Sequence, residues 1–408
     1  MRSSKIPWRG WAVLVLTGVA GFLFFLDRNV LAALKTTLGT TLGLSNEDYS
    51  MLVTAFLAPY ILMYFFVGRF IDRWGTRVSV STFVVLMSIA ALLSSLAHDK
   101  WQLSGARALL GIAEAGVQPA IFVAVATWFP PERRAFAFAL RAPIQAVGPI
   151  VAPVFAAFAA LSFGWRSAFW MPAIAGIAIT AVWWITDSGH GETVRTAPVT
   201  VRSVLLDRAL WGIFAARILT DPFWFLLQFW QAGYLQESLG VSLAGVGRLL
   251  WLPPLGETLL GLALGWYSDR LIRRGLPPPR ARAWILIGLV AFTPCALVLA
   301  VVRHVDVAIA MLVITQFMSH GWLGGTTLLA AEYCPKQRMA SVVGVMSALG
   351  GISSILVNAA AGQLVDWFGY SILFLLAVAV FPVAAAIVWW CYLRKSAPRP
   401  QREAVGVP

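Results

Sequence analysis

Apolar stretches long enough to cross a bilayer recur along the whole chain, each closed by charge or by Gly and Pro. They run roughly over 11–34, 49–71, 78–97, 101–128, 133–161, 165–186, 209–238, 244–268, 281–302, 306–333, 339–365 and 370–393. A spanning helix needs about 20 apolar residues, so the pattern predicts twelve membrane helices, several long enough to tilt. The longest polar interval, 187–208, holds Asp187, Glu192, Arg195, Arg202 and Asp207. It separates six spans from six. The expected organisation is an N-terminal six-helix bundle over 1–186, a cytoplasmic linker over 187–208, and a C-terminal bundle over 209–408 ending in a short basic tail.

The two halves repeat. Gly68, Asp72, Arg73, Gly75 and Arg77 follow the second span; Gly265, Asp269, Arg270, Arg273, Arg274 and Gly275 follow the eighth. Phe129-Pro130 closes the fourth span and Cys334-Pro335 the tenth, and Gly164-Trp165-Arg166 has its counterpart in Gly369-Tyr370-Ser371. Two homologous six-helix halves predict an all-α integral membrane protein of two pseudo-symmetric bundles, with a site near the midplane.

Composition sharpens this. Of 408 residues, 59% are hydrophobic and 12% charged, against about 45–50% and about 25% in soluble domains. A cytosolic enzyme, a nucleic-acid-binding domain and a disordered chain are excluded. The formal charge of +13 follows the positive-inside bias. With the N-terminus cytoplasmic, 22 Lys and Arg fall on the cytoplasmic side and 5 on the other, so both termini are expected inside. Cys295, Cys334 and Cys391 lie far apart and form neither a disulfide framework nor a zinc pattern; no metal or cofactor is expected. Arg2, Lys5 and Arg9 lead into a span too long for a signal-peptide core. No catalytic triad or phosphate loop is found, which argues against an enzyme.

Four arginines, Arg28, Arg107, Arg141 and Arg217, fall inside spans. A charge at mid-membrane costs about 2.5–3.5 kcal/mol on insertion scales, so each must face a bundle interior or a wet cavity. Asp27 and Arg28 are adjacent and diverge by about 100°; with Arg28 toward a cavity, Asp27 turns to a neighbouring helix, toward Arg107. Arg107 and Glu114 share a helix face roughly 10 Å apart along the axis.

The run Gly68-x-x-x-Asp72-Arg73-x-Gly75-x-Arg77, with its degenerate second copy, resembles the major facilitator superfamily over nearly the whole chain. Leu26-Asp27-Arg28-Asn29, Arg107 to Gly116, Trp128 to Pro131 and Gly164-Trp165-Arg166 are similar to the anion:cation symporter family. Ala216 to Trp224, Phe229-Trp230 and Trp251-Leu252-Pro253 resemble its hexuronate transporters. The resemblance implies a proton-coupled importer of a small organic anion, a sugar acid such as a hexuronate or aldonate. It implies a monomer, multi-pass in the bacterial inner membrane, whose partners are anion, proton and lipid, with no nucleic acid. It carries substrate contact onto Arg28, Tyr60, Arg107 and Gln145, and proton coupling onto Asp27 and Glu114. Trp224, Trp230 and Trp322 are placed near a substrate. Two departures stand out: Arg141 occupies a position expected to be uncharged, and the tenth span reads Ser319-His320-Gly321-Trp322 in place of a His-Gln pair.

Each role has a plainer alternative. The Asp27/Arg28/Arg107/Glu114 set also fits a static interhelical lock, Tyr60 ordinary packing, and Arg141 a side chain stretching to the interface. Arg217 and Asp221, at i and i+4, fit a self-neutralised pair, with Pro222 breaking the helix ladder behind them. Glu257 is either a second protonatable site or a link to Arg217, and His320 either a pH sensor or a packing residue. Asp72, Arg73 and Arg77 with Asp269, Arg270 and Arg273 are expected to latch the cytoplasmic side, the alternative being a solvated surface. A proton-coupled exporter of drugs or metabolites is the runner-up; of the glycine-rich run expected there in the fifth span, only Gly148-Pro149 is present. A membrane sensor without turnover is disfavoured by the repeats and the buried ionisable groups.

Overall fold

The computed structural model describes residues 6–187, 201–335 and 338–394. Arg2, Lys5, most of the expected linker, Lys336 and the basic tail lie outside the described residues. The described residues are almost entirely helical: α1 (Trp8–Ala33), α2 (Lys35–Leu42), α3 (Asn46–Leu96), α4 (Lys100–Trp128), α5 (Pro131–Phe163) and α6 (Ser167–Thr186) come first. After the short α7 (Val201–Leu205) follow α8 (Trp211–Gly233), α9 (Leu243–Leu249), α10 (Leu252–Arg273), α11 (Pro278–Leu289), α12 (Thr293–Val301), α13 (Val305–Tyr333), α14 (Met339–Phe368) and α15 (Ser371–Val388).

Among the described residues eleven helices are long and apolar enough to cross a membrane, and they cover all twelve expected spans. The second and third are merged in α3, whose 51 residues would reach about 77 Å if straight, far beyond one bilayer. The break is a single residue: Gly75, at φ 71 and ψ 178, a conformation that a β-carbon disfavours. The turn expected over 72–77 therefore shrinks to one glycine, with helix on both sides.

Local sequence explains where the helices begin. Ser45 and Asp48 form a reciprocal capping box at the start of α3. Asp99 accepts from the amides of Trp101 and Gln102 at the start of α4. The described positive-φ residues are all glycines, and they fall into three pairs at matching places in the two halves: Gly43 with Gly240, Gly75 with Gly275, Gly164 with Gly369.

By internal packing the chain forms two units. The first is Met1–Arg195 with Phe229–Trp251; the second is Thr196–Gln228 with Leu252–Pro408. In the first, α3 packs along α4 and α6, and α1 lies against α4, α5 and α6. In the second, α13 packs against α10, α11 and α12, and α12 against α15. Large apolar side chains such as Leu62, Phe65 and Phe66 stand more than half exposed, the surface expected of a protein solvated by lipid rather than water.

Candidate functional site

The polar centre of the first unit is built where α1 and α4 meet. Arg28, from α1, donates Nε and Nη2 to Oε2 of Glu114 on α4, at 3.1 and 2.7 Å. Both side chains are buried. The other carboxylate oxygen of Glu114 is buried without a hydrogen-bond partner. Three rings enclose the Arg28 guanidinium, with the centroids of Phe24, Phe56 and Tyr60 at 4.7, 5.0 and 4.8 Å. Electron-rich ring faces stabilise a cation, more so away from water. Tyr60 stacks on Phe56 and accepts a hydrogen bond from the Tyr64 hydroxyl.

Arg107, one helix face along from Glu114, does not pair with it directly. Its Nη2 donates to Ser94 Oγ at 3.0 Å, its guanidinium lies 5.2 Å from the Phe169 ring centroid, and Nε is unpartnered. Arg107 stays within electrostatic reach of both Asp27 and Glu114. Asp27 is buried beside Arg28 and turned away from it, as adjacency on a helix requires. The centre thus sets two guanidiniums against two carboxylates in a buried interior, with one short ion pair. Such a pair holds only while both partners are charged, because removing one charge strands the other at high cost.

Helix approach brings these groups together. At Gly111 on α4 an added β-carbon would overlap the Phe56 carbonyl, and at Gly148 on α5 it would come within 2.7 Å of the Phe22 carbonyl oxygen. Gln145 lies on α5 facing Gly21 of α1, and its Oε1 is buried and unpartnered. Arg141 is 4% exposed and lies against α1, so it does not stretch to the interface.

The other candidates lie elsewhere. Trp230 packs edge-on against Tyr49 in the first unit, and the Tyr49 hydroxyl donates to the Phe229 carbonyl. Trp224 and Trp322 belong to the second unit. Trp322 is fully buried against Phe381, and its Nε1 has no hydrogen-bond partner. Arg217 and Asp221 form a buried ion pair at 2.9 Å, and Arg217 also donates to the Leu323 carbonyl. Glu257 is not linked to Arg217: its partners are His320 and the Gln316 amide. His320 is mid-helix yet 46% exposed.

In the loop cluster, Arg77 donates to the Trp184 carbonyl and lies over the Trp184 ring, and Arg73 lies over Trp74. Asp72 is exposed. Asp269 sits 3.8 Å from Arg282, and Arg270 lies over Trp266. Sequence reading missed Asp187, which it took only for linker charge. Asp187 is buried and accepts from Thr76 Oγ1 and Trp128 Nε1, tying α3 and α4 to the end of α6. Its place directly after the last apolar turn of a span was the available signal. Among the described residues no three His, Cys, Asp or Glu gather as a metal site would need.

Residues 17–357 match the sequence profile of the Major Facilitator Superfamily. The hexuronate transporter of Escherichia coli (strain K12) is 26% identical, over 96% of this chain and 95% of its own length. The galacturonate transporter of Dickeya chrysanthemi is 27% identical, over 66% of this chain and 84% of its own. A solved structure of a bacterial homologue of the human lysosomal transporter Spinster has the same fold, with a TM-score of 0.80 at 19% identity, covering 95% of this chain and 97% of that one. With its repeated halves, its apolar helices and this match over most of its length, the chain belongs to the Major Facilitator Superfamily and is a membrane transporter, not an enzyme.

Proposed function

We propose that the protein is a proton-coupled symporter that imports a small organic anion of the sugar-acid class, such as a hexuronate or an aldonate, across the bacterial inner membrane by alternating access. The observation that carries this reading is the buried Arg28–Glu114 pair, with Asp27 and Arg107 beside it. The names of the two relatives, hexuronate and galacturonate transporters, supply the substrate class.

The chemistry follows from competition for one guanidinium. An ionised Glu114 holds Arg28. A proton on Glu114 neutralises that partner and leaves the Arg28 fork, inside its cage of Phe24, Phe56 and Tyr60, to take a carboxylate through two parallel hydrogen bonds. Loss of the proton on the other side of the membrane lets Glu114 reclaim Arg28 and expels the anion. Proton and anion therefore bind with positive linkage, and the coupling is reciprocal. Asp27 is the second carboxylate, balanced by Arg107. The Tyr60 hydroxyl and the Gln145 amide supply contacts to substrate hydroxyls.

The test is uptake of labelled galacturonate by proteoliposomes under an imposed pH gradient. Acid outside should drive accumulation above equilibrium, and dissipating the gradient with a protonophore should abolish it. Uptake indifferent to the gradient would remove the coupling. A gradient that instead drives lipophilic drugs out, with no sugar acid moving, would favour the exporter.

A further inference from the structure

Arg141 forms no ion pair among the described residues. It sits ten residues into α5, about 15 Å along the helix. Its Nη1 donates weakly to the Thr17 carbonyl at 3.4 Å, and its guanidinium faces the Phe122 ring at 5.3 Å. Among the described residues no Asp or Glu pairs with it, whereas Arg28 has Glu114 and Arg217 has Asp221. Arg141 is as deeply buried as Arg28, at 4% exposed, and a buried cation without an anion is costly.

Gln145 follows Arg141 by one turn, and its amide N–H groups are donors that suit a carboxylate. Both face Gly21 of α1, where a β-carbon would lie 2.8 Å from Gln145 Oε1 and 3.2 Å from Arg141 Nη1. The absence of a β-carbon at Gly21 lets Gln145 and the Arg141 fork pack directly against the α1 backbone. Gly21 and Arg28 are seven residues apart on one face of α1, about 10 Å along its axis.

Resting on the reading of the protein as a sugar-acid transporter, we infer that Arg141, with the Gln145 amide beside it, is a second carboxylate-binding point. The preferred substrate is then a six-carbon acid ionised at both ends, one carboxylate on Arg28 once Glu114 is protonated and the other on Arg141. An unprotonated centre offers one free guanidinium; a singly protonated one offers two, matched by a dianion.

The experiment compares galactarate with galacturonate, which share a carbon skeleton and differ by one terminal carboxylate, using binding to purified protein at one pH. Wild type should bind galactarate more tightly by about ten- to a hundredfold, the worth of one charge-assisted pair. In Arg141→Gln the ratio of the two dissociation constants should collapse toward one, and Arg141→Lys should restore part of it. If Arg141→Gln does not fold, Gly21→Ala, whose methyl group presses on Arg141 and Gln145 without changing charge, should lower the ratio instead. A ratio near one in wild type, or one unchanged by these substitutions while galacturonate still binds, would overturn the assignment. No binding of either acid by wild type would instead overturn the sugar-acid reading on which it rests.

Discussion

Arg28 is held twice, by a carboxylate at its fork and by three rings around its plane. Lysine would keep the charge but lose the fork and the flat ring contacts. Arg28→Lys and Arg28→Ala are therefore expected to abolish ligand-induced thermal stabilisation while the protein still folds; stabilisation equal to wild type in Arg28→Ala would take Arg28 out of the site. Glu114→Gln imitates the protonated carboxylate. It should preserve substrate exchange across proteoliposomes but lose accumulation against a gradient, and accumulation driven by external acid in that variant would shift the coupling role to Asp27. The partnership between these two residues was not legible in the sequence. Periodicity orders side chains around one helix, so it put Arg107 and Glu114 on one face, but it does not say which helix packs beside them. Arg28 reaches Glu114 across 86 residues of sequence, and His320 finds Glu257 in the same way.

At the scale of helices, sequence and structure agree closely, because a spanning helix is a long, uniform signal and lipid forbids most alternatives. The exception is instructive. The polar run around Asp72 reads as a loop, yet helix continues to either side of Gly75, since charged residues there extend the helix beyond the apolar core. Between helices, small residues set the spacing. Gly111 lets α4 close on the Phe56 carbonyl of α3, and the Phe56 ring lies over the Arg28 guanidinium. Gly111→Ala should force the pair of helices apart, at a cost of about 1–3 kcal/mol for overpacking. It should show as a lowered melting temperature together with weakened sugar-acid binding; an unchanged melting temperature would mean that the helices tolerate the added methyl group.

For the whole transporter, the loop charges are the remaining proposal. Asp72, Arg73 and Arg77, with Asp269 and Arg270, are expected to favour closure of the cytoplasmic side. Single exposed pairs are worth about 0–1 kcal/mol, so the effect of Asp72→Asn should be a few-fold change in population rather than a block. Cysteines placed near the cytoplasmic end of the cavity should label faster in Asp72→Asn and net uptake should slow; unchanged labelling with normal uptake would leave these residues as a topology signal alone.

The three glycine pairs, Gly43 with Gly240, Gly75 with Gly275 and Gly164 with Gly369, mean that the corners of the molecule were drawn once and used twice. Its tolerance of mutation should carry an echo. A complete map of substitution effects, correlated with itself, would rise at a lag of about two hundred residues wherever a corner or a helix packing is shared. The echo should fall silent over Asp27, Arg28, Arg107 and Glu114, because at those lags the second half offers Trp224, Phe225, Leu312 and Ser319. The corners are shared between the halves, whereas the second half carries its own buried pairs, Arg217 with Asp221 and Glu257 with His320, at other positions.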